Sequence, residues 1–278
     1  MNVLVFDIET IPDIEGGQRI YNLQGLDEKS TAKALFHITK QKTGSDFLPL
    51  HLQKIIAISV VYRGMGEDMG HEVSVRSLGD STSSEADLLN EFFQQIEACT
   101  PTLVSWNGTA FDLPVKHYRS LKNSVSAPGY WGQGEANPAF GQDHYLSRYH
   151  NRHTDLKDVL ASYQDAAKAP LSHIASLLGF PGKDDMDDSF TADGSDTADG
   201  SLTADGSVWE EYLAGNLKGI RNCCDTNVLN TYLVYLRYQL MRCKMGRNDI
   251  QQEYDLLRKM LDHSGQAHLQ AFSKHWAK

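Results

Sequence analysis

"FDIETIPD", residues 6–13, continues directly from the apolar run at residues 1–5. In an extended chain alternate side chains share a face. A strand here therefore points Asp7 and Glu9 the same way, while Val3, Val5 and Ile8 can serve the interior. Two like charges on one face of a buried strand repel and are poorly solvated. A divalent cation relieves that, and hard oxygen ligands suit Mg²⁺ or Mn²⁺. A strand that ends in solvent, with both acids hydrated, relieves it too.

The chain has 278 residues, 41% of them apolar, enough for one large domain or a domain with an appendage. No apolar run approaches the roughly 20 residues that span a bilayer. The sequence enters its first strand without a basic region or a cleavable apolar segment. Both features point to a soluble, cytoplasmic protein with no membrane partner. Cys99, Cys223, Cys224 and Cys243 form no CxxC pair, so neither a zinc site nor a disulfide framework is suggested. The formal net charge of −10 argues against coating nucleic acid through bulk positive charge. It leaves room for an enzyme that grips a short strand in one local groove.

Periodicity organises the rest. A helical stretch is expected around Glu28–Lys42, then a buried strand at "KIIAISVVYRG" (54–64) and an alternating one at "HEVSVRSL" (71–78). "SSEADLLNEFFQQIEAC" (83–99) reads as a helix with a capping-box start at Ser84 and Asp87 and an apolar face of Leu88, Leu89, Phe92, Phe93 and Ile96. "TLVSWNG" (102–108) is a short strand running into a turn, and "AFDLPVKHYRSL" (110–121) starts a helix with Pro114 near its first turn. Residues 123–152 read as a loop, and "HTDLKDVLASY" (153–163) and "PLSHIASLLGF" (170–180) as two helices. Residues 216–244 form one long helix with Ile220, Cys224, Val228, Tyr232 and Tyr235 at helical spacing. Strands interleaved with helices indicate an α/β layered domain. We divide the chain into a domain over 1–250 and a helical extension over 251–278 that packs on it. A six-residue repeat, "TADGSD", "TADGSL", "TADGS", fills much of 183–207 and reads as a flexible acidic loop. It lacks the acid spacing of an EF-hand.

A second stretch carries chemistry. In "SWNGTAFDLPV" (105–115) a strand ends, Asn107-Gly108 turns the chain, and Asp112 opens a helix close to a sheet edge. Taken alone, such an acid complements the helix dipole or ligates a metal. "FDIET" followed about a hundred residues later by "WNGTAFDLPV" resembles the first two motifs of the DEDD 3′–5′ exonuclease superfamily. The resemblance is to bacterial proteins related to the proofreading exonuclease domain of family B DNA polymerases. It extends through "RHTDLKDVLASY", "APLSHIASLLGFPGK", "VWEEYLAGNL" and "VLNTYLVYLR".

That resemblance implies an α/β, ribonuclease-H-like fold with a mixed central sheet flanked by helices. It implies a metal-dependent exonuclease acting on single-stranded DNA or RNA 3′ ends, with four carboxylates holding two Mg²⁺ or Mn²⁺ ions roughly 3.5–4 Å apart. By matching position, Asp7 bridges the ions, Glu9 orients the attacking water and Asp112 holds the second ion. Position 227 is the fourth catalytic place. Thr10, Asn107 and Phe111 border the terminal nucleotide, Phe111 also anchors the turn, and Trp106 belongs to the core.

The third motif breaks the pattern. The family's "YCxxDVLNTYL" reads here as "CCDTNVLNTYL" (223–233), and "VLNTYL" fixes the register. Cys223 therefore stands in the tyrosine place and Asn227 in the aspartate place. Asp225 is no substitute, since it lies about 200° round the helix from Asn227 and faces away. The site drops to three charges, the second ion is held more weakly, and the rate suffers by about 10²-fold or more. A catalytically silent module that binds nucleic acid or a protein partner is the alternative. Asp155 and Asp158 read as helix caps and loop anchors. His144, Tyr145, Arg148, Tyr149, His150, Arg152 and His153 read as a strand-tracking groove or a solvated loop. Lys116, His117, Arg119 and Lys122 read as phosphate contacts or a charged helix face.

Overall fold

Five strands form one mixed sheet in the order β3-β2-β1-β4-β5 in a computed structural model that describes residues 2–65, 71–132, 144–146, 152–181 and 207–276. The TADG repeat and Arg148, Tyr149 and His150 lie outside these residues. Strand β1 (Val3–Pro12) is central, antiparallel to β2 (Gln53–Met65) and parallel to β4 (Thr102–Ser105). β3 (His71–Ser77) pairs antiparallel with β2, and β5 (His153–Asp155) parallel with β4. Both faces of β1 are covered, which is why its apolar residues run on rather than strictly alternate.

On one face Leu4, Phe6 and Ile8 pack with Leu88, Leu89, Phe92 and Phe93 of α3 (Glu85–Cys99) and with Val115 of α4 (Asp112–Asn123). The capping box expected at Ser84 and Asp87 is present. On the other face Val3 and Val5 meet Val228, Leu229 and Tyr232 of α9 (Leu217–Met241). Helices α10 (Arg247–His263) and α11 (Ala267–Trp276) add Leu257, Leu261, Phe272 and Trp276 to that same core. A buried pair seals the join: Arg63 Nη2 and Nε donate to Glu253 at 2.6 and 2.7 Å, and the Tyr232 hydroxyl donates to the same carboxylate. With cover on several sides, α9 buries residues nearly all round, Ile220, Cys224, Val228, Tyr232 and Tyr235 among them.

Three elements differ from the sequence expectation. Residues 13–27 contain a short helix, α1 (Ile14–Tyr21), capped by the Asp13 carboxylate on Gly16 N. It packs on α2 (Glu28–Thr43) at Gly17, where a Cβ would stand 2.5 Å from a Leu35 methyl. The 123–152 segment contains the one-turn helix α5 (Pro128–Trp131). "HTDLKDVLASY" is divided: His153 and Thr154 pair with β4, and only then does the Asp155 carboxylate cap α6 (Leu156–Leu160). The remaining helices are α7 (Leu171–Leu177) and α8 (Ser207–Leu213), whose Trp209 packs with Ile11, Leu35 and Phe36. Among the described residues no helix is long and apolar enough to cross a membrane.

Two cations of α4, Lys116 and Arg119, are buried, while Lys122 in the last turn is exposed. Arg119 is 1% exposed and binds two acids: Nη1 reaches Asp13 at 2.5 Å, while Nε and Nη2 reach Glu85 at 2.7 and 2.6 Å. Glu85 also accepts Ile55 N, and Asp13 accepts Lys122 Nζ. His117 pairs with the Tyr130 hydroxyl at 2.8 Å, and Lys116 is buried among aromatic rings. One guanidinium thus joins the end of β1, the start of β2 and the first residue of α3 to α4.

Removing one member of a buried charge set leaves its partners unpaired. Arg119→Met is expected to lower the unfolding free energy by about 3–5 kcal/mol in urea titrations, whereas Arg19→Ala, which breaks the exposed pair with Glu15, changes it by less than about 1 kcal/mol. Burial tends to raise the Asp13 carboxyl, but hydrogen bonds from Lys122 and Arg119 outweigh it and hold the group below its ordinary 3.8. Its contribution to stability is therefore full above that value and fades as pH falls through the lower folded value.

Candidate active site

The carboxyl half of β1 carries Asp7 and Glu9 on the face covered by α9, each half-buried. The strand register shifts between Glu9 and Thr10, a bulge that ends regular pairing next to the acids. Two side chains of α9 reach down to them. Asn227 Nδ2 lies 3.2 Å from Asp7 Oδ2 and 3.4 Å from Glu9 Oε1. Cys224 Sγ lies 3.7 Å from the same Asp7 Oδ2. The two are three residues apart, so the helix sets them side by side.

Asp7, Glu9 and Cys224 each offer one ligand atom within 4.8 Å of the others, a spacing one cation can bridge. Cys223, in the tyrosine place of the motif, is half-buried and outside that group. Sequence reading missed Cys224 as a site residue because its spacing with Ile220 and Val228 is also that of a core stripe. The signal that could have found it is its i−3 relation to Asn227. Asp225 faces away as expected: it accepts from Ser59 and Ser77 hydroxyls at 2.7 and 3.0 Å and pairs with His268 at 3.0 Å.

Asp112 arrives from the other side of β1 through a tightly specified turn. β4 ends at Ser105, and Asn107 adopts a left-handed φ of 69°. Its carbonyl accepts Ala110 N and Phe111 N, and the Gly108 carbonyl accepts Leu113 N. Asp155 clamps the turn, its two oxygens accepting Asn107 N at 2.9 Å and Thr109 N at 2.8 Å. Its partner expectation also holds for Asp158, which pairs with Lys168 at 2.9 Å. Gly108 has no substitute, because a Cβ there would stand 2.3 Å from Ser105 Oγ.

Asp112 is buried, and its Oδ1 has no hydrogen-bond partner among the described residues. Burial pushes its carboxyl up to about 8, Lys116 draws it down, and the negative charges of Asp7 and Asp155 add to the rise. Lys116 is 0% exposed, and its Nζ sits 4.2 Å over the Phe6 ring and 4.7 Å over Phe92. Burial lowers the ammonium to about 8, against the pull of Asp112 and Asp7. Asp112 thus feels the field of Asp7 but stands outside the three-ligand group.

The residues expected to touch substrate are buried instead. The Thr10 hydroxyl, 3% exposed, donates to Gln53 Oε1 at 2.9 Å. Phe111, 5% exposed, packs against Phe47 with ring centroids 6.1 Å apart. Asn107 is also 5% exposed and supplies the turn's backbone. Trp106 packs on the core. The expected strand-tracking groove loses described members too. Tyr145 stacks on Tyr130 and donates to Pro101 O, and Arg152 donates to Thr100 O. His153 pairs with Ser105 Oγ at 2.8 Å, and burial pushes it down to about 4, which keeps it neutral.

The donor set suits a cation: two ionisable oxygens and a sulfur converge, and a buried unpartnered carboxylate oxygen stands near by. Residues 45–276 match a family model described as a predicted 3′–5′ exonuclease related to the exonuclease domain of PolB. The matched span contains Asp112, Cys224 and Asn227 and begins after β1 with its Asp7 and Glu9. No curated protein shows significant similarity.

Asn227 Nδ2 donates to two acids at once. Asn227→Asp replaces those donors with a third carboxylate. Without divalent ions the variant is expected to lose about 1–3 kcal/mol of stability. Added Mn²⁺ should stabilise it by more than it stabilises the wild type, a contrast read by thermal unfolding with and without the ion.

Proposed function

The chain belongs to the family of predicted 3′–5′ exonucleases related to the exonuclease domain of PolB, and from that membership we propose a metal-dependent exonuclease that removes nucleotides from single-stranded 3′ ends of DNA or RNA. Its mixed sheet with flanking helices accords with the α/β, ribonuclease-H-like fold of such enzymes. The observation that carries the reading is the convergence of Asp7 and Glu9 beneath α9, with the orphaned Asp112 oxygen on the neighbouring helix start.

The residues take distinct roles. Asp7, with contacts to both α9 side chains, is the central holder of positive charge at the site. Glu9, next to the bulge, orients the attacking water. Asp112 is placed by a backbone turn, and its unpartnered Oδ1 is spared for a cation. Divalent ions, when bound, activate the water and offset charge on the phosphate and the leaving 3′ oxygen. Lys116 places a fixed ammonium behind Asp112 and moderates the repulsion among the acids before any ion enters. Asn227 adds no charge, so the second ion is held weakly and the rate is reduced.

A specific observation favours the silent-module reading as well. In the structure the Asn227 amide and the Cys224 thiol both donate to Asp7 Oδ2, which satisfies the acid without a cation.

A 5′-labelled single-stranded oligonucleotide incubated with the protein and Mn²⁺ separates the two. Stepwise shortening from the 3′ end, reduced about 10²-fold or more by Asp7→Ala, supports the enzyme. Introducing Cys223→Tyr with Asn227→Asp should raise that rate. If the wild type cuts no faster than Asp7→Ala and the double variant cuts well, the native protein is the silent module.

A further inference from the structure

Cys224 stands in the acid cluster at the cysteine place of the motif, where the proposed nuclease chemistry gives it no role. It is 0% exposed, and its Sγ and Asp7 Oδ2 are 3.7 Å apart. A sulfur and an oxygen bound to one tetrahedral zinc, at about 2.3 and 2.0–2.2 Å, stand about 3.5–3.7 Å from each other. The distance between the two atoms is thus already that of neighbouring ligands. Glu9 completes a set of three within 4.8 Å. Resting on the same acid cluster that carries the nuclease reading, we propose that Cys224 is a metal ligand and that the ion held by Asp7, Glu9 and Cys224 is a thiophilic divalent cation, Zn²⁺ the best fit, rather than Mg²⁺.

Without an ion, burial and the charges of Asp7 and Glu9 push the Cys224 thiol up and keep it protonated; a cation that displaces the proton gains the negative charge that Asn227 does not supply. Donor chemistry supports the assignment. Mg²⁺ demands near-octahedral oxygen ligands and keeps several waters. A sulfur beside two carboxylates does not offer that all-oxygen donor set, whereas Zn²⁺ accepts mixed oxygen and sulfur ligands in fourfold geometry. The unpartnered Asp112 oxygen, on a residue 97% buried, is a second sign that this region lacks a cation partner. On binding, the sulfur–metal bond forms as the thiol proton passes to solvent, with no change in oxidation state.

Co²⁺ added to the reduced full-length protein is the direct probe, because cobalt–thiolate bonds give a near-ultraviolet charge-transfer band. The band is expected on titration, with the strong visible bands of fourfold cobalt. Zn²⁺ should remove both, and a large excess of Mg²⁺ should remove neither. Cys224→Ser and Cys224→Ala should abolish the charge-transfer band and weaken Zn²⁺ binding by about 100-fold or more, whereas Cys223→Ser should keep the band. Should the Cys224 variants fail to fold, X-ray absorption of the zinc-loaded wild type decides: a sulfur neighbour at about 2.3 Å is expected. Cobalt binding without the band, a band that survives in a folded Cys224 variant, or a zinc shell of oxygen and nitrogen alone would overturn the proposal. None of these readings needs turnover. A protein that shows the sulfur signature yet degrades no oligonucleotide retains the metal assignment and loses the nuclease one. An active nuclease whose zinc shell lacks sulfur does the reverse.

Discussion

The geometry of the site depends on the Arg119 guanidinium. It is almost wholly excluded from water and is satisfied by Asp13 and Glu85. A buried cation with fixed partners tolerates little displacement, since moving any one of them leaves charge unpaired in a poorly polarisable interior. Those partners sit at the end of β1 and the start of α3, and Glu85 also holds the start of β2 through Ile55 N. Arg119 itself is on α4, seven residues after Asp112. The helix that presents the third acid is thereby locked to the strand that presents the first two.

The sequence was legible where local physics dictates the outcome. Alternation placed Asp7 and Glu9 on one face of β1, and helical spacing gave the buried stripe of α9 and the turned-away Asp225. It was less legible where a residue's role is assigned by distant partners. Arg119 and Lys116 read as surface charges on an amphipathic helix, and nothing within α4 reveals that Glu85, Asp13 and two phenylalanine rings wait for them. "HTD" reads as helix because its strand pairing with β4 is a contact across some fifty residues. Thr10, Asn107 and Phe111 were matched to substrate roles by position, and their contacts with Gln53, the turn and Phe47 could not be read from that match. Cys224 was hidden because sulfur in a core stripe and sulfur in a ligand set have the same spacing.

The acids on β1 illustrate how a fold can hold like charges together. Neutral donors from α9 meet Asp7, an ammonium lies behind Asp112, and desolvation tilts Asp112 toward its protonated form. Each measure eases the repulsion by a different means: hydrogen bonding stabilises a carboxylate, a countercharge offsets it and proton uptake removes its charge. Asn227 belongs to the first of these, which is how a residue unfavourable for holding a second ion can be favourable for the ion-free fold.

The turn between β4 and α4 has a consequence for how this gene can vary. Six residues, 106–111, separate the last residue of β4 from Asp112, and their backbone groups are bonded to one another and to Asp155. Adding or deleting one codon there would rotate α4 by about 100° and slide it about 1.5 Å along its axis. Asp112 would leave β1 and Arg119 would leave its two acids in the same event. A single frame-preserving indel in this segment would thus undo two separate features of the site, whereas a substitution at one ligand undoes one.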